Sequence, residues 1–279
     1  MSATLLDGRE LAASLVRTLT READRHLRER GRPAHLTLVA VGEDATAALY
    51  AGQVARSCLL VGLNCTLRSF PIETTETTLR AEIAALGARA DIDGVVALLP
   101  LPRHIRQRIV TEALAPEKDV DGLGPGNAGH LMLGFPSYVP STADAALELL
   151  RSAGVSLQGQ NAVVVGRSNV GGKPAALLFL RENATITLCH SRTPDLAAIV
   201  RQADILFTSM GRPRSITADM VKPGAIVLDA GMNSMDGKLT GDVDFASVRE
   251  VAGAITPVPG GLGPLTNLML IRHTLLGPT

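Results

Sequence analysis

Along the chain, short apolar runs alternate with longer stretches in which apolar residues recur every three or four positions. Leu11, Leu15, Leu19 and Leu27 punctuate a charged stretch and predict an amphipathic helix from Leu5 to Arg30, ended by Gly31. His35–Val41 reads as a strand stopping at Gly42, and Ala45–Val61 as a second helix closed by Gly62. A short strand over Cys65–Phe70 and a helix over Thr77–Ala88 follow. The run Gly94–Leu99 predicts a buried strand that ends where Pro100 and Pro102 offer no ladder donor. His104–Leu114 reads as helical.

Ala115–Pro140 breaks this rhythm with glycines and prolines, and reads as a functional loop or a seam between domains. Alternation then resumes. A helix capped by Ser141 or Thr142 runs to Ala153. Strands are predicted at Ala162–Val165, Thr185–Cys189, Ile205–Ser209, Ala225–Ala230 and Ala252–Ile255, with helices near 173–182, 194–202 and 216–220. The Gly/Pro cluster Pro257–Pro264 precedes a last helix from about Leu265 to Leu276. The pattern predicts an α/β fold: a first, mostly parallel layer, then a Rossmann-like, doubly wound parallel sheet with its ligand at the strand C-termini.

One junction stands out. The buried run Ala162–Val165 meets Gly166, and Gly171 and Gly172 precede a helix that tolerates Pro174 only in its first turn. Orphan N–H groups and the helix dipole make such a turn an anion site. The spacing also suits a plain tight strand-to-helix connection.

Composition narrows the field. The 279 residues suit two domains of ordinary size, and the 46% apolar content gives an aliphatic core, since aromatics are 3% and Trp is absent. Lys plus Arg and Asp plus Glu balance at 27 each, so no global field recruits nucleic acid or an anionic membrane. No apolar run reaches the roughly 18 residues of a bilayer span. Asp7, Arg9 and Glu10 argue against a signal peptide. Cys58, Cys65 and Cys189 lack paired spacing and read as reduced thiols in a cytoplasmic protein. His26, His35, His104, His130 and His273 are scattered, so no metal is expected.

Taken together, several stretches resemble the FolD family, the bifunctional methylenetetrahydrofolate dehydrogenase/methenyltetrahydrofolate cyclohydrolases. They are Leu6–Arg9, Val41-Gly42 with Tyr50, Leu99–Pro102, Lys118–Gly122, Val165–Asn169, Gly172–Pro174, His190–Thr193, Lys222–Gly224, Gly241–Phe245 and Ile255–Pro264, in family order. The resemblance implies two α/β domains flanking a cleft: 1–140 plus 265–279 for folate and catalysis, 141–264 for NADP. It also implies a homodimer, a tetrahydrofolate derivative as substrate, and hydride transfer from 5,10-methylenetetrahydrofolate followed by hydrolysis of the methenyl product.

The resemblance places substrate binding at Tyr50, Leu98, Asp121, Pro259, Gly260, Gly261 and Thr266, with Tyr50 and Asp121 in catalysis. Read without the family, Asp121 is a turn carboxylate; with it, Asp121 binds the pterin. Lys118 and Asp119 then order the loop. For the cofactor it implies Gly166, Arg167, Ser168, Gly172, His190, Ser191, Arg192, Gly211, Pro213 and Asn233. A cation after the second strand of such a sheet favours NADP over NAD, and Ser191 and Arg192 stand there. Both arginines also read as solvated surface residues, and His190 as a strand cap.

The departures carry as much information. The family pairs its tyrosine with a lysine one helical turn later, where this chain has Val54. Arg56 is two residues off, about 200° around the helix. The family glutamine ahead of Leu-Pro-Leu-Pro is Leu98, a family serine is Ala47, and a family Pro-Cys-Thr-Pro-x-Gly is Pro140–Ala145. Losing both members of an interacting polar pair to aliphatics avoids stranding one of them, which costs about 1–3 kcal/mol. The expectation is an oxidoreductase with cyclohydrolase activity lost or very weak. Alternatives are a non-catalytic folate- or NADP-binding homologue, and a specialised-metabolism enzyme with another substrate.

Overall fold

The computed structural model of the protein describes residues 2–235 and 237–278. Its elements, in chain order, are β1 (Thr4–Leu5), α1 (Gly8–Arg30), β2 (His35–Val41), α2 (Ala45–Val61), β3 (Asn64–Phe70), α3 (Glu76–Gly87), β4 (Gly94–Ala97) and α4 (Gln107–Ala113). Then come α5 (Pro125–Leu133), α6 (Ser141–Ser152), β5 (Asn161–Val165), α7 (Gly172–Arg181), β6 (Thr185–Cys189), α8 (Leu196–Val200) and β7 (Ile205–Thr208). A 3₁₀ turn (Ala218–Met220), β8 (Ile226–Asp229), β9 (Asn233–Met235), β10 (Lys238–Thr240), α9 (Phe245–Val248), β11 (Ala254–Ile255) and α10 (Gly263–Leu276) complete the chain.

The chain divides into two compact units, Met1–Ala13 with Pro140–Thr266, and Ser14–Val139 with Asn267–Thr279. Residues 1–13 group with the later unit, whereas the expected division put them with the first. The reason is β1: Thr4 and Leu5 pair in parallel with Ala254 and Ile255. Two residues carry no periodicity, so this strand, at the edge of the expected 5–30 helix, left no trace in the pattern.

The unit built on Ser14–Val139 has a parallel three-stranded sheet, order β3-β2-β4. One face of its core joins Val39, Val41, Val95 and Ala97 to Leu79, Ile83 and Leu86 of α3 and Val110 of α4. Helix α2 starts at Asp44, whose carboxylate accepts from the Ala47 N–H, and ends at Gly62 in the left-handed region. Between them Ala47, Ala51, Val54, Cys58 and Val61 form one buried stripe.

The other unit has a parallel six-stranded sheet, order β1-β11-β8-β7-β5-β6. Val163, Val165, Leu206, Val227 and Ile255 face a core completed by Val200, Ile216, Val221 and Val248. On the opposite face Phe179 of α7 meets Phe207 of β7 edge-on, 6.1 Å between centroids. Helices on both faces make the sheet doubly wound, as predicted. Chain order reverses between β5 and β7, and ligands bind above such a switch point.

Four further elements differ from expectation. Helix α5 lies inside the supposed loop 115–140, with Pro125 in its first turn and Gly134 as its left-handed C-cap. The hairpin β9–β10 and the single turn α9 are too short to show a period.

Candidate functional site

In the unit built on Ser14–Val139, Tyr50 is half-buried on α2, one turn before Val54. Val54 is 0% exposed and Leu98 3%. The Leu98 N–H donates to the Val39 carbonyl at 2.8 Å, which carries the β4 line one residue past its end. Leu98 lines a small open hollow with Val41, Ala47, Ala51, Leu67 and Pro100. The ionisable groups at this hollow are Glu43 and Asp44, both exposed, and Asp44 is committed to capping α2. No cation lines it.

Asp121 sits, buried, on a loop held from several sides. Asp119 accepts from Leu123 N (3.1 Å), Gly124 N (2.7 Å) and Asn127 Nδ2 (3.0 Å). Burial pushes the Asp119 carboxyl up to about 6, against the pull of those bonds. The Lys118 ammonium donates to the Arg89 carbonyl, and His273 donates from Nδ1 to the Val120 carbonyl at 2.7 Å. The residues around Asp121 are thus spent on loop geometry.

In the other unit, the β5–α7 junction is very close. Gly166 has φ +130°, and a Cβ there would stand 2.2 Å from the Ser209 carbonyl oxygen. Gly172 is equally constrained by the Gly166 carbonyl. Ser168 Oγ accepts from Gly171 N at 3.0 Å, and its carbonyl accepts from Lys173 N at 3.1 Å. The side chains of Arg167 and Ser168 are exposed.

At the end of β6, Thr193 Oγ1 accepts from His190 N (2.9 Å), and His190 Nδ1 accepts from Arg192 N (3.1 Å). His190 shapes the turn that presents Ser191 and Arg192, both exposed. Neither Arg167 nor Arg192 forms an ion pair among the described residues. Backbone cradle, hydroxyls and free guanidinium groups suit a phosphorylated dinucleotide.

Gly211 and Pro213 lie exposed on the loop after β7. Asn233 Nδ2 donates to Asp242 Oδ1 at 3.0 Å. In the same unit Gly260 accepts from Gly8 N (2.9 Å), and a Cβ on Gly8 would lie 1.9 Å from the Gly261 oxygen. The stretches Leu6–Arg9 and Pro257–Pro264 are therefore pressed together. Pro259 is exposed, and Thr266 donates to the Gly263 carbonyl at 3.0 Å.

Sequence reasoning gave no role to Asp229 or Asp242, both buried. The available signal was an acid ending a buried strand, Ile226–Asp229, and another among apolar neighbours in Gly241–Phe245.

Residues 6–121 match the tetrahydrofolate dehydrogenase/cyclohydrolase catalytic domain, and residues 140–277 its NAD(P)-binding domain. The chain is 48% identical over 276 residues to the bifunctional protein FolD of Chloroflexus aurantiacus, covering 99% of this chain and 97% of that protein. It is 46% identical over 276 residues to that of Geobacillus thermodenitrificans, with the same coverage. The fold superposes on the bifunctional FolD of Campylobacter jejuni with TM-score 0.96 at 36% identity, covering 99% of this chain and 98% of that one. For the Trypanosoma brucei dehydrogenase-cyclohydrolase, solved with NADP cofactor and inhibitor, the TM-score is 0.93 at 36% identity, covering 99% and 97%. With both domains matched in order over nearly its whole length, the chain belongs to the tetrahydrofolate dehydrogenase/cyclohydrolase (FolD) family.

Proposed function

We propose that the protein is an NADP-dependent oxidoreductase that oxidises 5,10-methylenetetrahydrofolate, and that its cyclohydrolase activity is absent or very weak. The observation that carries this reading is the pair of buried aliphatics, Val54 and Leu98, where the family resemblance puts lysine and glutamine. Hydrolysing a methenyl cation requires water to be activated and a carbinolamine to be deprotonated. A positioned titratable group supplies roughly 10²–10⁴-fold of such catalysis. Neither side chain can exchange a proton.

Hydride transfer makes other demands. It depends on holding two carbons near contact in the right orientation, which is work for binding residues. NADP, when bound, supplies the hydride acceptor. Arg167, Ser168, Ser191 and Arg192 would hold its phosphates and ribose, while Asp121 accepts from the pterin amino and ring N–H groups. Tyr50 would offer its hydroxyl to the folate nitrogens that flank the transferred carbon. Opening the methylene bridge benefits from an acid without requiring one.

A homodimer is supported by the exposed apolar side chains Leu59, Leu60 and Leu67 on α2 and β3. Sedimentation at micromolar concentration tests that point. The activity is tested by adding 5,10-methylenetetrahydrofolate to the purified protein with NADP and following NADPH absorbance. Reduction is expected. Silence with NADP still bound would replace the reading by a binding homologue or another substrate.

A further inference from the structure

We propose that Asp242 is a positioning residue that sets cofactor affinity by fixing the loop after β7, while touching no cofactor itself. The inference rests on the reading of this unit as the NADP site. Asp242 is 0% exposed and has no cation partner among the described residues. Its Oδ2 accepts from Met210 N at 2.6 Å, and its Oδ1 from Arg212 N at 2.9 Å and Asn233 Nδ2 at 3.0 Å. One carboxylate therefore gathers two N–H groups of the loop that bears Gly211 and Pro213, and one side chain from β9.

The carboxylate is itself fixed. Asp242 N donates to Asp229 Oδ1 at 3.0 Å, and Val243 N to Asp229 Oδ2 at 2.9 Å. Gly231 N (2.8 Å) and Thr208 Oγ1 (3.2 Å) also donate to Asp229, whose own N–H donates to Thr256 Oγ1 at 2.8 Å. Gly231 and Gly241 have no room for a Cβ, which would meet Asp242 and Asp229 at 2.4 and 1.9 Å. The ends of β7 and β8 thus converge on two carboxylates, and Thr256, after β11, holds the Asp229 backbone. Arg214 follows in the left-handed region (φ +50°), held by its N–H to the Gly241 carbonyl at 3.1 Å. Such strain persists only where surrounding bonds enforce it.

Asparagine cannot replace Asp242. It presents one oxygen, so its NH₂ group would face either the Met210 N–H or the donors of Arg212 and Asn233. At least one part-buried donor is then stranded and the loop shifts.

The test compares wild type with D242N, measuring NADP affinity by titration calorimetry, Michaelis constants for NADP and folate, and hydrogen exchange at the Met210 and Arg212 amides without cofactor. The expected result is an NADP Kd raised about tenfold, a folate KM within about twofold of wild type, and faster exchange at both amides. A merely structural role would lower kcat and both affinities together, and unchanged NADP affinity with unchanged exchange would overturn the proposal. Should D242N fail to fold, N233A, which removes one of the three donors, is expected to speed exchange at the Met210 and Arg212 amides without cofactor and to raise the NADP Kd about threefold, and unchanged exchange would overturn the proposal. If wild type itself takes up no NADP, the cofactor reading fails instead. The exchange rates then decide the loop's dependence on Asp242.

Discussion

A Cβ on Gly172 would stand 1.9 Å from the carbonyl oxygen of Gly166, so α7 begins directly against the turn that follows β5. Gly172→Ala must push the two apart. Overpacking of this kind costs about 1–3 kcal/mol, and the displaced turn would weaken NADP binding about tenfold or more. Denaturant unfolding and an NADP titration check both effects; wild-type values in both would remove the turn from the cofactor site.

Arg192 carries the expected choice of NADP over NAD. Its guanidinium is exposed and outside any ion pair among the described residues, so it is available to a phosphate. Arg192→Ala is expected to cut the NADP-to-NAD ratio of kcat/KM by about tenfold or more, through KM for NADP. An unchanged ratio would make Arg192 a solvated surface residue.

Asp119 predicts a pH dependence of stability. Its folded value of about 6 lies above the ordinary 3.8, so the folded state holds the proton more tightly than the unfolded one. Stability from this group is fully present below about pH 4, falls as pH rises to about 6, and is level beyond. Asp229, also raised to about 6, adds in the same direction. Glu76 and Asp91, lowered to about 2 by their arginine partners, act oppositely and only at more acid pH. Thermal midpoints between pH 4 and 7 should decline less steeply in D119N than in wild type. An identical slope would mean that Asp119 is not the titrating group.

The aliphatic pair should be reversible only as a pair. Val54→Lys alone puts an ammonium into a fully buried position and costs roughly several kcal/mol. Adding Leu98→Gln gives it a partner and is expected to restore about 1–3 kcal/mol of that loss. The double variant should hydrolyse methenyltetrahydrofolate roughly a hundredfold faster than wild type. A double-mutant cycle in urea, with a hydrolysis assay on each variant, measures both; strict additivity would show that the two positions do not interact.

Much of this architecture was legible because burial leaves a periodic trace. Ala45–Val61 was bounded correctly, with Gly62 as its stop, and Thr185–Cys189 by its β-rich run. Helix α5 was not, because Pro125, Gly126 and Gly129 resemble loop punctuation, although a proline in the first turn and a glycine at the C-cap suit a helix. The supporting carboxylates were hidden for another reason. Asp242 acts on amides 30 and 32 residues away, whereas Asp119, read as ordering its own loop, does so through Leu123, Gly124 and Asn127 close by in the chain. A polar residue whose partners are set by topology carries no local signal.

The central claim is that buried Val54 and Leu98 have removed the hydrolytic half of the chemistry and left the oxidative half. Its most direct test is the loss of methenyltetrahydrofolate absorbance with and without the purified protein, on a preparation that reduces NADP with 5,10-methylenetetrahydrofolate. The account predicts hydrolysis within about twofold of buffer. Acceleration of roughly a hundredfold or more, the scale of positioned acid–base catalysis, would contradict it.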